Sequence, residues 1–483
     1  MNRPPAGAPT VAVVGGGIGG LTAAWHLLEA GLSPCVLEAS HEVGGLVRTI
    51  ELAGRRLEVG ADTLVTQKPA AVALCRRLGL GGELVFHDAR STATHVLKRG
   101  RTMAIPEGTN LLAPDAWGPL LRSRLLSWRG VLRLALEPRV AAVRDPEHDE
   151  SLASFVRRRF GREVLHAFAE PVLASLFLAD AERLSVRLTM PRLLEAEALH
   201  GSVRRALARA APDGEARTGR PHAGSGGFAS LQGGLGALPQ RLASLLPQGS
   251  IRVGARVERV VRTGAGFLLE LPAGERLEVD AVVLACPAPE AASLVRDLDP
   301  GLAGDLATLE YTSCATVHLV YRRGDVGARL LGHGFFVPRT EGLPLLACSY
   351  VSEKYPQRAL PGDVVLRAFV GGARDPQALD LGDAALIVRT HGALARLLDL
   401  RAQPILSHVQ RHLRAMPHYR VGDAPRLARI RASAGVDGPL VLAGSLRGAI
   451  GVPDVVASGK AAADEIGVLL RERAPALRAA AAE

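Results

Sequence analysis

The sequence predicts an α/β fold: a parallel-sheet domain assembled from discontinuous segments, an α+β domain, and a mainly helical insertion. Three observations predict it. Val11 to Thr49 reads as strand, glycine turn, helix, strand, acidic residue and second glycine pair. A strand, glycine turn and helix return at the far end, in Pro439 to Leu470. Between them, about Asn110 to about Ala210 has helical spacing, while 290 to 425 alternates strand-like and helix-like runs.

Val11 to Val14 is a short apolar run of the kind that forms a buried parallel strand. Gly15, Gly17 and Gly20 follow as G-x-G-x-x-G. The first permits a tight turn, the second lets backbone approach a pyrophosphate, and the third lets the helix Leu21 to Ala30 pack on the strand. The amides opening that helix would face phosphates, where the helix dipole favours negative charge. Gly31 stops the helix and Pro34 to Leu37 forms a second strand. Glu38 then sits 18 positions after Gly20 (38 − 20), where a carboxylate accepts hydrogen bonds from a ribose. Strand, helix and acid in these places predict a Rossmann-like dinucleotide site.

Beyond Glu38 come Gly44-Gly45 and Arg48-Thr49, then a hairpin turning at Ala53-Gly54 and ending at Gly60-Ala61-Asp62. Pro69 to Leu80 reads as a helix, and Ala93 to Leu97 and Thr102 to Ile105 as strands about a Lys98-Arg99-Gly100 turn. In the helical region, Leu120, Leu121, Leu125, Leu126 and Trp128 alternate with Arg122, Arg124 and Arg129. That basic amphipathic stretch suits a helix packed within its own domain, or a surface resting on a membrane. Ala211 to Gly227 reads as an exposed loop or linker. A glycine turn and helix follow Phe228, then a strand ending at Ala285-Cys286-Pro287, and a helix around Ala384 to Leu398. Gly459-Lys460 lacks the upstream glycine of a phosphate loop.

At 483 residues the chain exceeds one ordinary core, so two or three domains are expected. It is 48% hydrophobic and 22% charged, without an apolar run fit to span a bilayer. The N-terminal MNRPPAGAPT reads as a polar lead into the first strand, not a signal peptide. Five scattered cysteines without a C-x-x-C pair argue against disulfides and zinc and fit a reducing cytoplasm. The net charge of +10 is spread along the chain, and with aromatics at 4% there is no stacking platform for nucleic acid. Anionic lipid or a polycarboxylate substrate suits that charge better.

Gly44-Gly45 with Arg48-Thr49 resembles the second glycine motif of flavin oxidoreductases related to amine oxidases, phytoene desaturases and protoporphyrinogen oxidases. Within that superfamily the sequence resembles the protoporphyrinogen and coproporphyrinogen oxidases through nearly its whole length. The resemblance is carried by Gly60-Ala61-Asp62-Thr63, Glu150-Ser151-Leu152 with Phe155 and Arg158-Arg159, Phe177-Leu178-Ala179-Asp180 with Leu184-Ser185, and Gln232-Gly233-Gly234-Leu235. It continues through Gly334 to Pro338, Phe369 to Gly372, Ala415 to Tyr419, and Gly451 to Asp454 with Ser458-Gly459. The sequence departs from the pattern at Glu42 (usually arginine), Ser445 (usually Asn or Asp) and His412 (commonly tryptophan). Thr94 stands where many members carry an arginine that pairs a substrate propionate, with Lys98, Arg99 and Arg101 as candidate substitutes.

The resemblance implies one non-covalent FAD, held by Gly15, Gly16, Gly17, Ile18, Gly19, Gly20, Glu38, Ala39, Ser40, Gly44, Gly45, Leu46, Val47, Arg48, Gly60, Ala61, Asp62, Val257, Gly444, Ser445, Gly451, Val452 and Pro453. Residues 1–65, 225–290 and 426–483 would form the FAD-binding domain. Residues 66–108 and 291–425 would form the substrate domain, 109–210 the helical insertion and 211–224 a loop. Thr94, Lys98, Arg99 and Phe335 are the expected substrate contacts, and no general base is named. The implied activity is porphyrinogen oxidation in haem biosynthesis by three two-electron hydride transfers, with oxygen or another acceptor reoxidising the flavin. A carotenoid desaturase, an amine oxidase and a non-catalytic FAD-binding protein are the alternatives. A cytoplasmic protein is expected, with peripheral contact to the inner face of the cell membrane and a homodimer left open.

Overall fold

The computed structural model describes residues 7–86, 95–106, 109–110, 113–114, 117–145, 147–210, 227–264, 266–433 and 438–480. Thr94 and the 211–224 loop lie outside the described residues.

The nucleotide-type sheet has five parallel strands. Numbered by position in the chain they run 3-2-1-4-5: Ile251–Val253, Ser33–Glu38, Thr10–Val14, Ala281–Leu284 and Leu440–Leu442. This is the order of a doubly wound sheet, with its switch point beside the first strand. Val11, Val13, Val283 and Val441 are buried on one face under the helix Ile18–Glu29, and Ala12, Val282 and Leu442 on the other. The continuous apolar runs of these strands follow from that two-sided burial.

The last helix, Val452–Ala480, packs along the first. Glycines set how closely. A Cβ on Gly459 would lie 2.3 Å from the Gly19 carbonyl oxygen, and one on Gly19 would lie 2.9 Å from a Val455 methyl. The two ends of the chain therefore close one domain.

A second, seven-stranded sheet stands against this domain. Its order is Leu406–His418, Glu310–Arg322, Asp363–Gly371, Ala347–Tyr350, Gly334–Phe336, His95–Lys98 and Arg101–Ala104. All neighbours are antiparallel except Gly334–Phe336 with His95–Lys98. Strand alternation sorts its residues by face. Val317, Leu319 and Leu366 enter the apolar cluster packed by the helix Asp383–Leu398. Thr316 and Arg367 point the other way, toward the hairpin Thr49–Leu52/Arg55–Glu58.

The region from 109 to 210 is mostly helical, as its spacing predicts, with two additions. Thr109–Asn110 and Ala113–Pro114 form a two-residue ladder, and Leu165–Ala174 winds as a π-helix around Pro171. Proline lacks the amide for a regular turn, so the wider winding there has a local cause. A buried network ties the insertion together. Arg159 pairs with Glu137, which also accepts from the Ser202 hydroxyl and, at 3.1 Å, the Val203 amide.

Candidate active site

The cradle begins where the first strand ends. Gly15 has φ +110°, and a Cβ there would lie 2.7 Å from the Ala285 carbonyl oxygen. A Cβ on Gly20 would lie 1.9 Å from the Gly15 carbonyl oxygen, so the helix can leave the strand this steeply only with glycine. Gly17 caps the helix in an extended conformation, with no side chain capping it. A Cβ on Gly17 would meet nothing within 4 Å. Uncapped amides facing open space are what a pyrophosphate requires, so the residues present fit the group.

Glu38 is fixed by the same turn. Its Oε2 accepts from the Gly16 amide at 2.6 Å and its Oε1 from the Ser40 amide at 2.8 Å. Beside it, Gly254 donates its amide to the Ser40 carbonyl (2.7 Å) and Ala255 to the Glu38 carbonyl (2.9 Å), which brings the 254–257 segment alongside; Val257 there is buried. The second glycine pair lies directly on the first turn. The Gly44 amide donates to the Gly16 carbonyl at 2.9 Å, and a Cβ on Gly45 would lie 3.2 Å from the Gly17 Cα. Glu42, the departure from the family's arginine, forms an ion pair with Arg48.

The hairpin end supports this layer from below. A Cβ on Gly60 would lie 1.9 Å from the Leu46 carbonyl oxygen, which accepts from the Ala61 amide at 2.8 Å. Burial opposes ionisation of Asp62, but Lys354 (2.8 Å) and Arg367 (3.7 Å) outweigh it and hold the carboxyl well below the usual carboxylate range. Arg358 lies 3.0 Å from Glu58, both buried, and its guanidinium stacks 3.7 Å over the Tyr355 ring. His412 places Nε2 2.6 Å from the Val59 carbonyl. Burial, helped by Arg367 and Arg48, lowers its pKa against that bond. The neutral tautomer thus carries its proton on Nε2.

The turn after Leu442 lies at the same end of the parallel sheet as Gly15. Gly444 has φ +66° and donates its amide to the Ser458 hydroxyl at 2.9 Å. Ser445 meets the Tyr311 hydroxyl at 2.9 Å, and its carbonyl accepts from the Tyr419 hydroxyl at 2.6 Å. Gly451, Val452 and Pro453 open the last helix, and Asp454 pairs with Lys68 at 2.6 Å.

Of the expected substrate contacts, the described Lys98, Arg99 and Phe335 lie on the paired strands His95–Lys98 and Gly334–Phe336 and the turn beyond them. Lys98 donates to the carbonyls of Arg124 (2.8 Å) and Leu125 (2.7 Å). Arg99 occupies the left-handed turn, its amide 2.7 Å from Glu341. Phe335 is 2% exposed and packs edge-on against Tyr350 in the core of the large sheet. Sequence reasoning gave no role to Arg367, Lys354, Tyr311 or Tyr419, although Tyr419 ends one of the motifs it quoted. Alternation along 363–371 sets Arg367 on the face opposite Leu366 but names no partner for it; the register places it opposite His318, on the side toward the hairpin.

A 3-2-1-4-5 parallel sheet with a glycine cradle and a returning C-terminal helix, set against a large mixed sheet, has the architecture of a flavoprotein oxidoreductase. Residues 18–467 match the flavin containing amine oxidoreductase family, and the chain belongs to that family, whose cofactor is FAD. It is 30% identical over 464 residues to a coproporphyrinogen III oxidase of Bacillus subtilis, covering 94% of this chain and 97% of that one. A protoporphyrinogen oxidase of Bos taurus is 31% identical over 490 residues, covering 95% and 98%. Among solved structures, one from Exiguobacterium sp. 255-15, named provisionally as a protoporphyrinogen oxidase, superposes with TM-score 0.82 at 28% identity, over 95% of this chain and 99% of that one.

Proposed function

We propose that this enzyme oxidises a porphyrinogen, coproporphyrinogen III or protoporphyrinogen IX, to the porphyrin in haem biosynthesis. The likeness to coproporphyrinogen III oxidase along 94% of the chain carries this reading. Bound FAD supplies a two-electron hydride acceptor, so the six-electron oxidation takes three turnovers. In this reading the amides of 17–20 hold the pyrophosphate, and Glu38, with Ala39 and Ser40 beside it, receives the ribose. Gly44 to Arg48, Gly60 to Asp62 and Val257 lie along the cofactor, and Gly444-Ser445 with Gly451 to Pro453 close over the flavin. Asp62, held ionised by two cations, fixes the hairpin end. His412 holds the Val59 carbonyl, and its Nδ1 is left as an acceptor. Oxygen is the proposed electron acceptor.

A peripheral membrane contact is the second part of the proposal. The structure splits the basic amphipathic stretch: Leu120, Leu125 and Leu126 are buried, whereas Trp128 is 68% exposed and Leu121 and Leu132 are each 52% exposed. Arg122, Arg124 and Arg129 are exposed beside them, with Arg129 over the Trp128 ring. Apolar groups rimmed by arginine suit an anionic lipid surface. Among the described residues no helix is long and apolar enough to cross a membrane.

The testing experiment mixes purified protein with each chemically reduced porphyrinogen under air. Porphyrin fluorescence should rise well above the uncatalysed rate. A rate no greater than the blank overturns the reading, and a preparation without a flavin absorption band overturns the cofactor assignment with it.

A further inference from the structure

A cavity of about 260 Å³ lies between the helical insertion and the large sheet. One wall comes from the π-helix Leu165–Ala174, the other from Val337, Arg339 and Leu346. π-helical turns are rare and gather at functional sites. At the cavity's edge Leu178 has φ +53°, a costly conformation for a branched side chain, and its carbonyl accepts from the Ala373 amide at 2.9 Å. Two strained or irregular backbone features thus border one cavity.

Strand pairings and hydrogen bonds run from the cavity's rim to the cradle in two directions. Ala373 lies two residues after Gly371, which pairs with Cys314. Cys314 pairs in turn with His412, whose ring meets the Val59 carbonyl beside Gly60. In the other direction, the segment running on from Leu178 reaches Ser185, whose amide donates to the Tyr419 carbonyl at 3.0 Å. The Tyr419 hydroxyl donates to the carbonyl of Ser445 in the C-terminal turn.

The charges lining it are nearly all occupied. Glu170 faces His166 at 3.3 Å, Asp180 accepts from the Glu182 amide at 3.0 Å, and Glu182 pairs with Arg157. Arg374 is spent on the carbonyls of Val337 (2.7 Å) and Pro338 (3.0 Å). Among the described residues, no hydrogen bond or ion pair engages the guanidinium of Arg339. The space is smaller than the roughly 300–1,000 Å³ usual for a whole drug-sized ligand. It suits one arm of a larger molecule: apolar walls for a pyrrole and its methylenes, and one fork-shaped cation for an acid.

We propose that this cavity receives one carboxylate-bearing arm of the tetrapyrrole and that Arg339 pairs its carboxylate. The proposal rests on the porphyrinogen reading and assigns the cation that Thr94 does not supply. The test compares the parent enzyme with Arg339→Ala and Arg339→Lys in steady-state oxidation of coproporphyrinogen III. Arg339→Ala should raise KM about 10-fold or more with kcat within about 2-fold, and Arg339→Lys should recover part of the loss. An unchanged KM in Arg339→Ala overturns the subsite while leaving the activity standing. If the parent enzyme oxidises no porphyrinogen, the activity reading fails. The subsite is then judged by protein-fluorescence quenching with coproporphyrin III: equal affinity of parent and Arg339→Ala overturns it, and an affinity about 10-fold weaker in the variant supports it.

Discussion

Replacing Arg358 with methionine tests how the cradle is held from below. Arg358 is fully enclosed, 3.0 Å from Glu58, and donates to the Ser230 hydroxyl (2.8 Å) and the Leu231 carbonyl (2.7 Å). Methionine fills much of the volume but removes the charge and these donors. Glu58 keeps the Thr49 hydroxyl and the Leu235 amide, each at 2.7 Å. Breaking a buried ion pair from one side costs roughly 3–5 kcal/mol. The two surviving hydrogen bonds put the expected loss at the low end, about 3 kcal/mol. Burial already raises the Glu58 pKa against the pull of Arg358, and the variant raises it further. A carboxyl whose folded pKa exceeds its unfolded value stabilises the fold while protonated and loses that contribution as pH rises through the folded value. The variant's deficit should therefore be largest near pH 8 and shrink toward about pH 5. Urea unfolding followed by tryptophan fluorescence at both pH values measures it, and flavin absorbance reports whether the hairpin end still supports the cofactor. A deficit under about 1 kcal/mol near pH 8, or one independent of pH, refutes the reasoning.

Three further outcomes are expected. Gly20→Ala puts a methyl 1.9 Å from the Gly15 carbonyl oxygen, where only backbone can yield; flavin content after purification should fall about tenfold, and full occupancy would count against the cradle. Asp62 has a depressed folded pKa, so its contribution is present above the unfolded carboxylate pKa and is lost as pH falls through the folded value. Asp62→Asn should therefore destabilise at neutral pH and flatten the acid limb of thermal melts, and an unaltered acid limb would contradict the assignment. Trp128→Ser with Leu132→Ser should reduce co-sedimentation with anionic vesicles about tenfold while leaving porphyrinogen turnover in solution intact; equal sedimentation would remove the membrane face from the proposal.

The cradle was legible because its parts are local. Gly15, Gly17, Gly20 and Glu38 lie within one strand–helix–strand unit; Gly15, Gly20 and Glu38 each answer a steric or hydrogen-bonding demand there, while Gly17 leaves the space before the helix open. The second glycine pair was legible for the same reason, since Gly44 returns to the first turn through one hydrogen bond. What holds the hairpin end was not. Arg358 reaches Glu58, and Lys354 and Arg367 reach Asp62, across some three hundred residues, and no periodicity marks a cation for a distant partner. Phe335 shows the complementary limit: its motif was visible, but whether its ring faces a ligand or the core depends on strand register, and the register seats it on Tyr350. The π-helix also escaped spacing rules, because an extra residue per turn keeps the apolar pattern of a helix while shifting its face.

The close seating of the last helix on the first, Gly459 against Gly19, bears on how the protein is made. The strand Thr10–Val14 leaves the ribosome early, yet one neighbour begins at Ala281 and the sheet's far edge at Leu440. At about 5–20 residues per second, the 271 residues from Thr10 to Ala281 (281 − 10) take roughly 14 to 54 s to synthesise. Through that interval the apolar Val11 to Val14 has no fourth strand, and the glycine turn has no C-terminal lid. In the proposed site, Gly444 to Pro453 can join the glycine turn only after Leu440–Leu442 has paired with Ala281–Leu284. A polypeptide terminated before Ala281 would carry the glycine fingerprint without two of the sheet's five strands.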